Sequence, residues 1–182
     1  MKLEVSVRRV YSESIERVFG VATSCASFPR TMRALGPIAG IAHAELAQGH
    51  SSDSRGRRLI TMTDGVVLDE EILIDERPYR SKYRWEGGLR PPFAWLVRAG
   101  GGDWRFSAEP EGTRIHWSYV FELRGGWIAL PIAALIMHTL FRSWMARGLR
   151  AIDAELARRG DHLIRHESAP ARSATMPVAA RR

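Results

Sequence analysis

Apolar and polar positions follow two different rhythms along this chain. Leu3, Val5 and Val7 alternate with Lys2, Glu4, Ser6 and Arg8, the period of a half-buried strand. Ser12 or Ser14 can cap a short helix over SIERVFGVAT, with Ile15, Val18 and Phe19 on one face. A second short helix is predicted from Cys25 to Arg33, and strands over Ile38–Leu46 and Arg57–Thr63, separated by a polar loop, QGHSSDSRG. From Pro131 to Arg159 the rhythm changes. Leu135, His138, Phe141, Met145, Leu149, Ile152 and Leu156 recur at steps of three and four, one stripe of a helix about eight turns long. Gly160 stands where such a helix would stop.

Between these ends lie turns with readable chemistry. Asp64-Gly65, set between β-rich runs, predicts a two-residue hairpin turn that pairs Ile60 with Asp69 and Arg58 with Glu71. That ion pair is either a surface contact or, on the inner face, the polar element of a cavity. In Tyr79–Glu86, tyrosines and Trp85 alternate with Arg80, Lys82 and Arg84, so one face is aromatic and the other charged. Residues 87–102 (GGLRPPFAWLVRAGGG) break the pattern, with Phe93 and Trp95 at their centre. They form either a lid that gates an opening or a loop tip tucked into the core. A last hairpin over the turn EPEG pairs Ala108 with Thr113, Phe106 with Ile115 and Trp104 with Trp117, and carries Tyr119 and Phe121 on the same face. His116 falls on the opposite, solvent face.

Composition narrows the class. An apolar content of 45% and six tryptophans describe a folded globule. One cysteine, Cys25, fits a reducing compartment, and the alternating N-terminus lacks a secretory h-region, so a cytoplasmic protein is expected. Trp127–Phe141, the longest apolar run, falls short of the ~20 residues that span a bilayer. Of the net charge of +7, residues 158–182 hold six arginines against Asp161 and Glu167. The basicity is therefore concentrated in a tail, 160–182, expected to be disordered, and residues 1–159 form one domain. Nucleic-acid binding is disfavoured, because the aromatic face turns inward, away from the row Arg80, Lys82, Arg84, Arg105 and Arg114. That row is either a solvated face or a surface for anionic headgroups. One cysteine and scattered histidines support no metal site, and no cofactor loop is present.

The order of these motifs is informative. SxSIERVF at 12–19, GRR at 56–58 with DG at 64–65 and Glu71, RPYRSKYRW at 77–85, GTRIHW at 112–117 and the final helix together resemble the helix-grip fold of the START / Bet v 1-like (SRPBCC) superfamily. Within it the chain is similar to polyketide cyclase/dehydrase-like members, over residues 1 to about 159. The resemblance implies an α+β fold: a seven-stranded antiparallel sheet wrapped around a long C-terminal helix, two short helices after strand 1, and an elongated apolar cavity between them. The wall would comprise Tyr83, Trp85, Trp104, Phe106, Trp117, Tyr119 and Phe121 from the sheet, and Leu135, His138, Phe141 and Met145 from the helix. Plain core packing of the same rings is the rival reading. Arg58, Glu71, Tyr83 and His138 are the polar set available for catalysis, and an isolated histidine on an apolar stripe also serves as a core residue. Three functions follow: a binder of a lipid, polyketide or polycyclic compound; a cyclase/dehydratase using the same cavity; or a membrane-surface or partner-binding protein acting through the apolar start of the long helix and the basic tail.

Overall fold

A computed structural model describes residues 1–47, 56–91, 93–124 and 130–167, with side chains to residue 160. Strand β1 (Lys2–Tyr11) is followed by helices α1 (Ile15–Ala22) and α2 (Phe28–Thr31), then by β2 (Ile41–Leu46), β3 (Arg57–Met62), β4 (Val67–Glu76) and β5 (Arg80–Glu86). A short helix, α3 (Phe93–Leu96), precedes β6 (Val97–Glu109) and β7 (Gly112–Leu123). The chain ends in α4 (Leu130–Ile136), a π turn (Met137–Phe141) and α5 (Arg142–Glu167). The strands form one antiparallel sheet in the order β1-β7-β6-β5-β4-β3-β2, with the long helix against its concave face. This is the expected helix grip.

Local sequence accounts for most elements. Ser14 caps α1 by accepting from the backbone N–H of Arg17, and Val18 and Phe19 are buried. Val5, Val7 and Tyr11 of β1 face the core as the alternation requires. The β6–β7 hairpin has the predicted register, with Trp104 opposite Trp117 and Phe106 opposite Ile115. Most of the polar loop before β3, residues 48–55, lies outside the described residues, as do 168–182 of the basic tail.

The β3–β4 hairpin departs from expectation. The turn holds three residues, not two: Gly65 N–H donates to Met62 O, Met62 N–H donates to Val66 O, and Gly65 takes φ +81°. This is the turn-plus-bulge form of a three-residue loop, in which only the glycine must be left-handed. One extra loop residue moves the register by one. Ile60 lies opposite Leu68 and Arg58 opposite Glu70. Glu71 pairs with Arg57 and is exposed on the outer face, so the predicted Arg58–Glu71 pair does not form.

Two further expectations are corrected. Residues 97–102 are not a hinged loop, because Gly100, Gly101 and Gly102 are hydrogen-bonded within β6, opposite Trp85, Arg84 and Tyr83. The long helix is also not one stripe. The i→i+5 hydrogen bonding of the π turn advances fewer degrees per residue than an α-helix, which rotates the preceding turns out of phase. Ala133 and Met137 face inward there, while Leu135 is 66% exposed and His138 is exposed as well. Beyond Phe141 the stripe is as read: Met145, Leu149, Ile152 and Leu156 are buried. The helix also continues through Gly160 to Glu167, since glycine inside a helix costs only about 1 kcal/mol.

Polar ties fix this helix on the sheet. Tyr11 donates its hydroxyl to Leu149 O at 2.8 Å, and Arg9 Nε bonds Asp153 at 2.9 Å. Glu155, almost fully buried, accepts two hydrogen bonds each from Arg30 and Arg158 and one from Arg159. Those guanidiniums, Arg30 first and Arg158 next, hold its carboxyl far below the usual carboxylate range.

Candidate functional site

A cavity of about 190 Å³ lies between the β3–β5 side of the sheet and the π turn. Ile60, Met62, Val66 and Leu68 of the first hairpin form its floor. Tyr83, Trp85, Tyr119 and Phe121 close one side, and Met137, Phe141 and Trp144 of the helix form the roof. Phe93 of α3 and Ile38, before β2, complete the rim. These residues border it because register turns every second side chain of each strand inward.

Glycines make room for two of the rings. A Cβ on Gly100 would stand 2.7 Å from the Trp85 ring, and one on Gly102 would stand 2.6 Å from the Tyr83 ring. Both distances are below any real contact, so the bare backbone of β6 is what lets the cross-strand rings lie over it. Trp85 Nε1 donates to the Tyr119 hydroxyl in a buried hydrogen bond. Burial raises the pKa of both Tyr83 and Tyr119, so neither phenol ionises readily.

The polar end of the cavity is Glu70, paired with Arg58 behind it, with the Arg58 and Glu70 side chains only 7% and 8% exposed. Arg58 Nε and Nη2 both donate to Glu70 Oε2, at 2.9 and 2.6 Å. The guanidinium carbon lies 4.7 Å from the Phe28 ring centre and 5.2 Å from that of Tyr83. Burial pushes the Glu70 carboxyl above its ordinary range, against the opposing pull of Arg58. Beside this pair is a void of about 30 Å³, walled by Trp104, Trp117, Trp144 and Tyr83. Ile60, Glu70, Tyr83 and Trp144 border both spaces. Trp104 and Trp117 stack at 4.1 Å, and both indoles approach the Tyr83 hydroxyl closely enough to act on its ionisation. Even so, Trp117 Nε1 makes no well-formed hydrogen bond, and neither does Trp144 Nε1. Two buried N–H donors therefore lack acceptors among the described residues, each at a cost of ~1–3 kcal/mol.

The structure divides the wall expected from the sequence. Tyr83, Trp85, Tyr119, Phe121 and Phe141 border the cavity, together with Phe93, one of the two expected gate residues. Trp104 and Trp117 border only the smaller void. Phe106 packs on Phe19 at 5.0 Å, and Met145 is fully buried; they are core and touch neither space. Leu135, His138 and Glu71 are displaced outward by the π turn and the bulge, and Trp95 is 70% exposed outside the rim. The β7 rings also meet the helix directly, with Tyr119 and Phe121 at 4.9 and 4.7 Å from Phe141. The hollow thus lies to one side of the aromatic stack and does not run its length. Glu70, Met137 and Trp144 escaped the sequence reading. A three-residue loop ending in the same glycine would have revealed Glu70, and Trp144 completes the stripe one turn after Phe141.

No described group of three or more His, Cys, Asp or Glu residues could hold a metal, and no described helix is long and apolar enough to cross a membrane. Solved structures with the same fold include the crystal structure of Ara h 8.0201, with TM-score 0.60 at 13% identity over 87% of this chain and 99% of that one. A protein from Thermus thermophilus also gives 0.60, at 19% identity over 86% and 99%. The di-domain ARO/CYC StfQ from the steffimycin biosynthetic pathway gives 0.63 at 11% identity, with this chain covering 52% of it. A comparison with curated proteins finds no match. The family model described as polyketide cyclase / dehydrase and lipid transport matches residues 2–159, and this chain belongs to that family.

Proposed function

We propose that this protein binds a small, largely apolar molecule in the cavity between sheet and helix, with an oxygen acceptor of that molecule directed at its polar end. One observation carries the reading: an apolar chamber ends at Glu70 and is bordered by Trp144, whose buried indole N–H has no acceptor among the described residues. A carbonyl, hydroxyl or ether oxygen would relieve that unpaired donor, and the flat rings suit a flat guest. Size constrains the guest. About 190 Å³ exceeds the ~150 Å³ cavity that takes up benzene and falls below the ~300 Å³ at which drug-sized pockets begin. One or two rings fit; a long-chain lipid would need the rim at Phe93 to open.

A second reading, a cyclase/dehydratase in the manner of the aromatase/cyclase relative, rests on Glu70. A carboxyl whose pKa is raised by burial beside an apolar chamber is suited to moving a proton, with its partner Arg58 bordering the adjoining void. Native mass spectrometry of protein purified from its host tests binding, followed by displacement of a naphthalene-type fluorescent probe. A bound species of one or two rings, lost in Trp144→Phe, is the expected result. Absence of both a bound species and saturable probe binding would overturn the reading. Turnover of a poly-β-ketone that is abolished in Glu70→Gln, with binding kept, would establish the enzyme in place of the binder.

A further inference from the structure

Outside the cavity rim the surface is apolar where a soluble protein would normally be polar. Trp95 and Ile132 are 70% and 59% exposed, and with Leu140 they line a groove that has no polar atom on its walls; Leu135, 66% exposed, lies on the same helix as Ile132. Pro37 and Phe93 border both this groove and the cavity, so the patch is continuous with the cavity mouth. Three segments meet here, contributing Pro37, Phe93 with Trp95, and Ile132 with Leu140.

Those segments share a charge pattern. Residues 17–44, 87–102 and 123–152 contain none of the chain's 20 acidic residues, yet they carry arginines in every stretch. Arg30 and Arg98 are engaged by Glu155 and Glu122. Arg90, three residues before α3, borders the cavity mouth, and Arg124, whose N–H donates to Leu96 O at 2.7 Å, lies beside the groove; both are exposed. Neither forms an ion pair among the described residues. An apolar patch rimmed by cations, with Asp64 beside Arg90 the exposed carboxylate at the cavity mouth, complements one partner chemistry well: the interface of an anionic bilayer, with aromatic and aliphatic tips in the acyl boundary and guanidiniums at the phosphates.

We propose that this face docks the protein on anionic phospholipid membranes, with the cavity mouth toward the bilayer. The π turn serves this arrangement by turning Ile132 and Leu135 outward while Met137 and Phe141 roof the cavity. The proposal goes beyond ligand binding and stands if the cavity holds nothing.

Flotation of the full chain with phosphatidylglycerol–phosphatidylcholine vesicles, against pure phosphatidylcholine vesicles, is the test. The wild type should float with the anionic vesicles and be released by salt. Trp95→Asp with Ile132→Asp should reduce the floated fraction about tenfold, because charges would have to enter the acyl boundary. Both side chains are exposed, so thermal melting and binding of the naphthalene probe should be unchanged. Tyr79→Asp, a charge on an equally exposed ring at the far end of β5, should bind as wild type does. Undiminished flotation of the double variant would assign any membrane contact to the basic tail and overturn the proposal. A wild type that fails to float, or that forms a dimer broken by the same substitutions, would overturn it too.

Discussion

Arg58 delivers both of its donating nitrogens to a single oxygen of Glu70, so Oε1 of that carboxylate accepts no hydrogen bond among the described residues. A buried pair held this way is an expensive way to fill space. Two ions are desolvated, and half of the acceptor capacity is left at the edge of an apolar chamber. Glu70→Gln should therefore destabilise the fold by ~3–5 kcal/mol, because Arg58 would remain buried without a counter-charge. The double variant Arg58→Met with Glu70→Leu should recover most of that loss. Urea denaturation of the wild type and the two variants checks both statements; equal loss in single and double variants would contradict them.

The pair also sets a pH dependence. Burial raises the folded pKa of Glu70 above its unfolded value of about 4.3. Its contribution is fully present below that unfolded value and is lost as pH rises through the folded one. In a background where Arg58 is already Met, replacing Glu70 with Gln should gain relative stability as pH increases above about 4.3, as measured by denaturation midpoints across pH.

Glu155 should behave in the opposite sense. Its pKa is depressed by Arg30 and Arg158, so its stabilisation is present above about 4.3 and declines as pH falls toward the folded pKa. Glu155→Gln should be clearly less stable than wild type at neutral pH, and the gap should narrow on acidification below that value. A gap independent of pH would mean that the arginine cluster contributes packing only.

Space for Trp85 and Tyr83 depends on β6 lacking side chains. Gly100→Ala and Gly102→Ala should each cost ~1–3 kcal/mol and weaken probe binding, since the displaced ring moves into the cavity. Gly20→Ala, where nothing lies within 4 Å of the added carbon, is the matched control and should not affect binding.

His138→Ala should leave stability within about 0.5 kcal/mol and ligand affinity unchanged, because its side chain is exposed on the outer side of the π turn. A tenfold fall in affinity by fluorescence titration would place it back on the wall.

Sequence determined the container. Period-two alternation in β1, β5 and β7 chose the inner face, the turn at EPEG fixed Trp104 against Trp117, and the stripe from Phe141 to Leu156 defined the helix that lies on them. These features are local, so a window of ten or so residues contains them. Three non-local or fine-grained facts decided the site instead. A single left-handed glycine, Gly65, serves two- and three-residue turns alike, and only the sheet context selected the bulged form that gave Arg58 to Glu70 rather than Glu71. A π turn leaves no periodic trace in composition, yet it moved Leu135 and His138 out and Met137 in. Whether rings fill a space or enclose one depends on contacts between segments far apart in the chain. Tyr119 and Phe121 meet Phe141, while beside them Ile60, Trp85 and Trp144 stop short of one another. Patterning specifies which way side chains face; only packing in three dimensions specifies how far they reach.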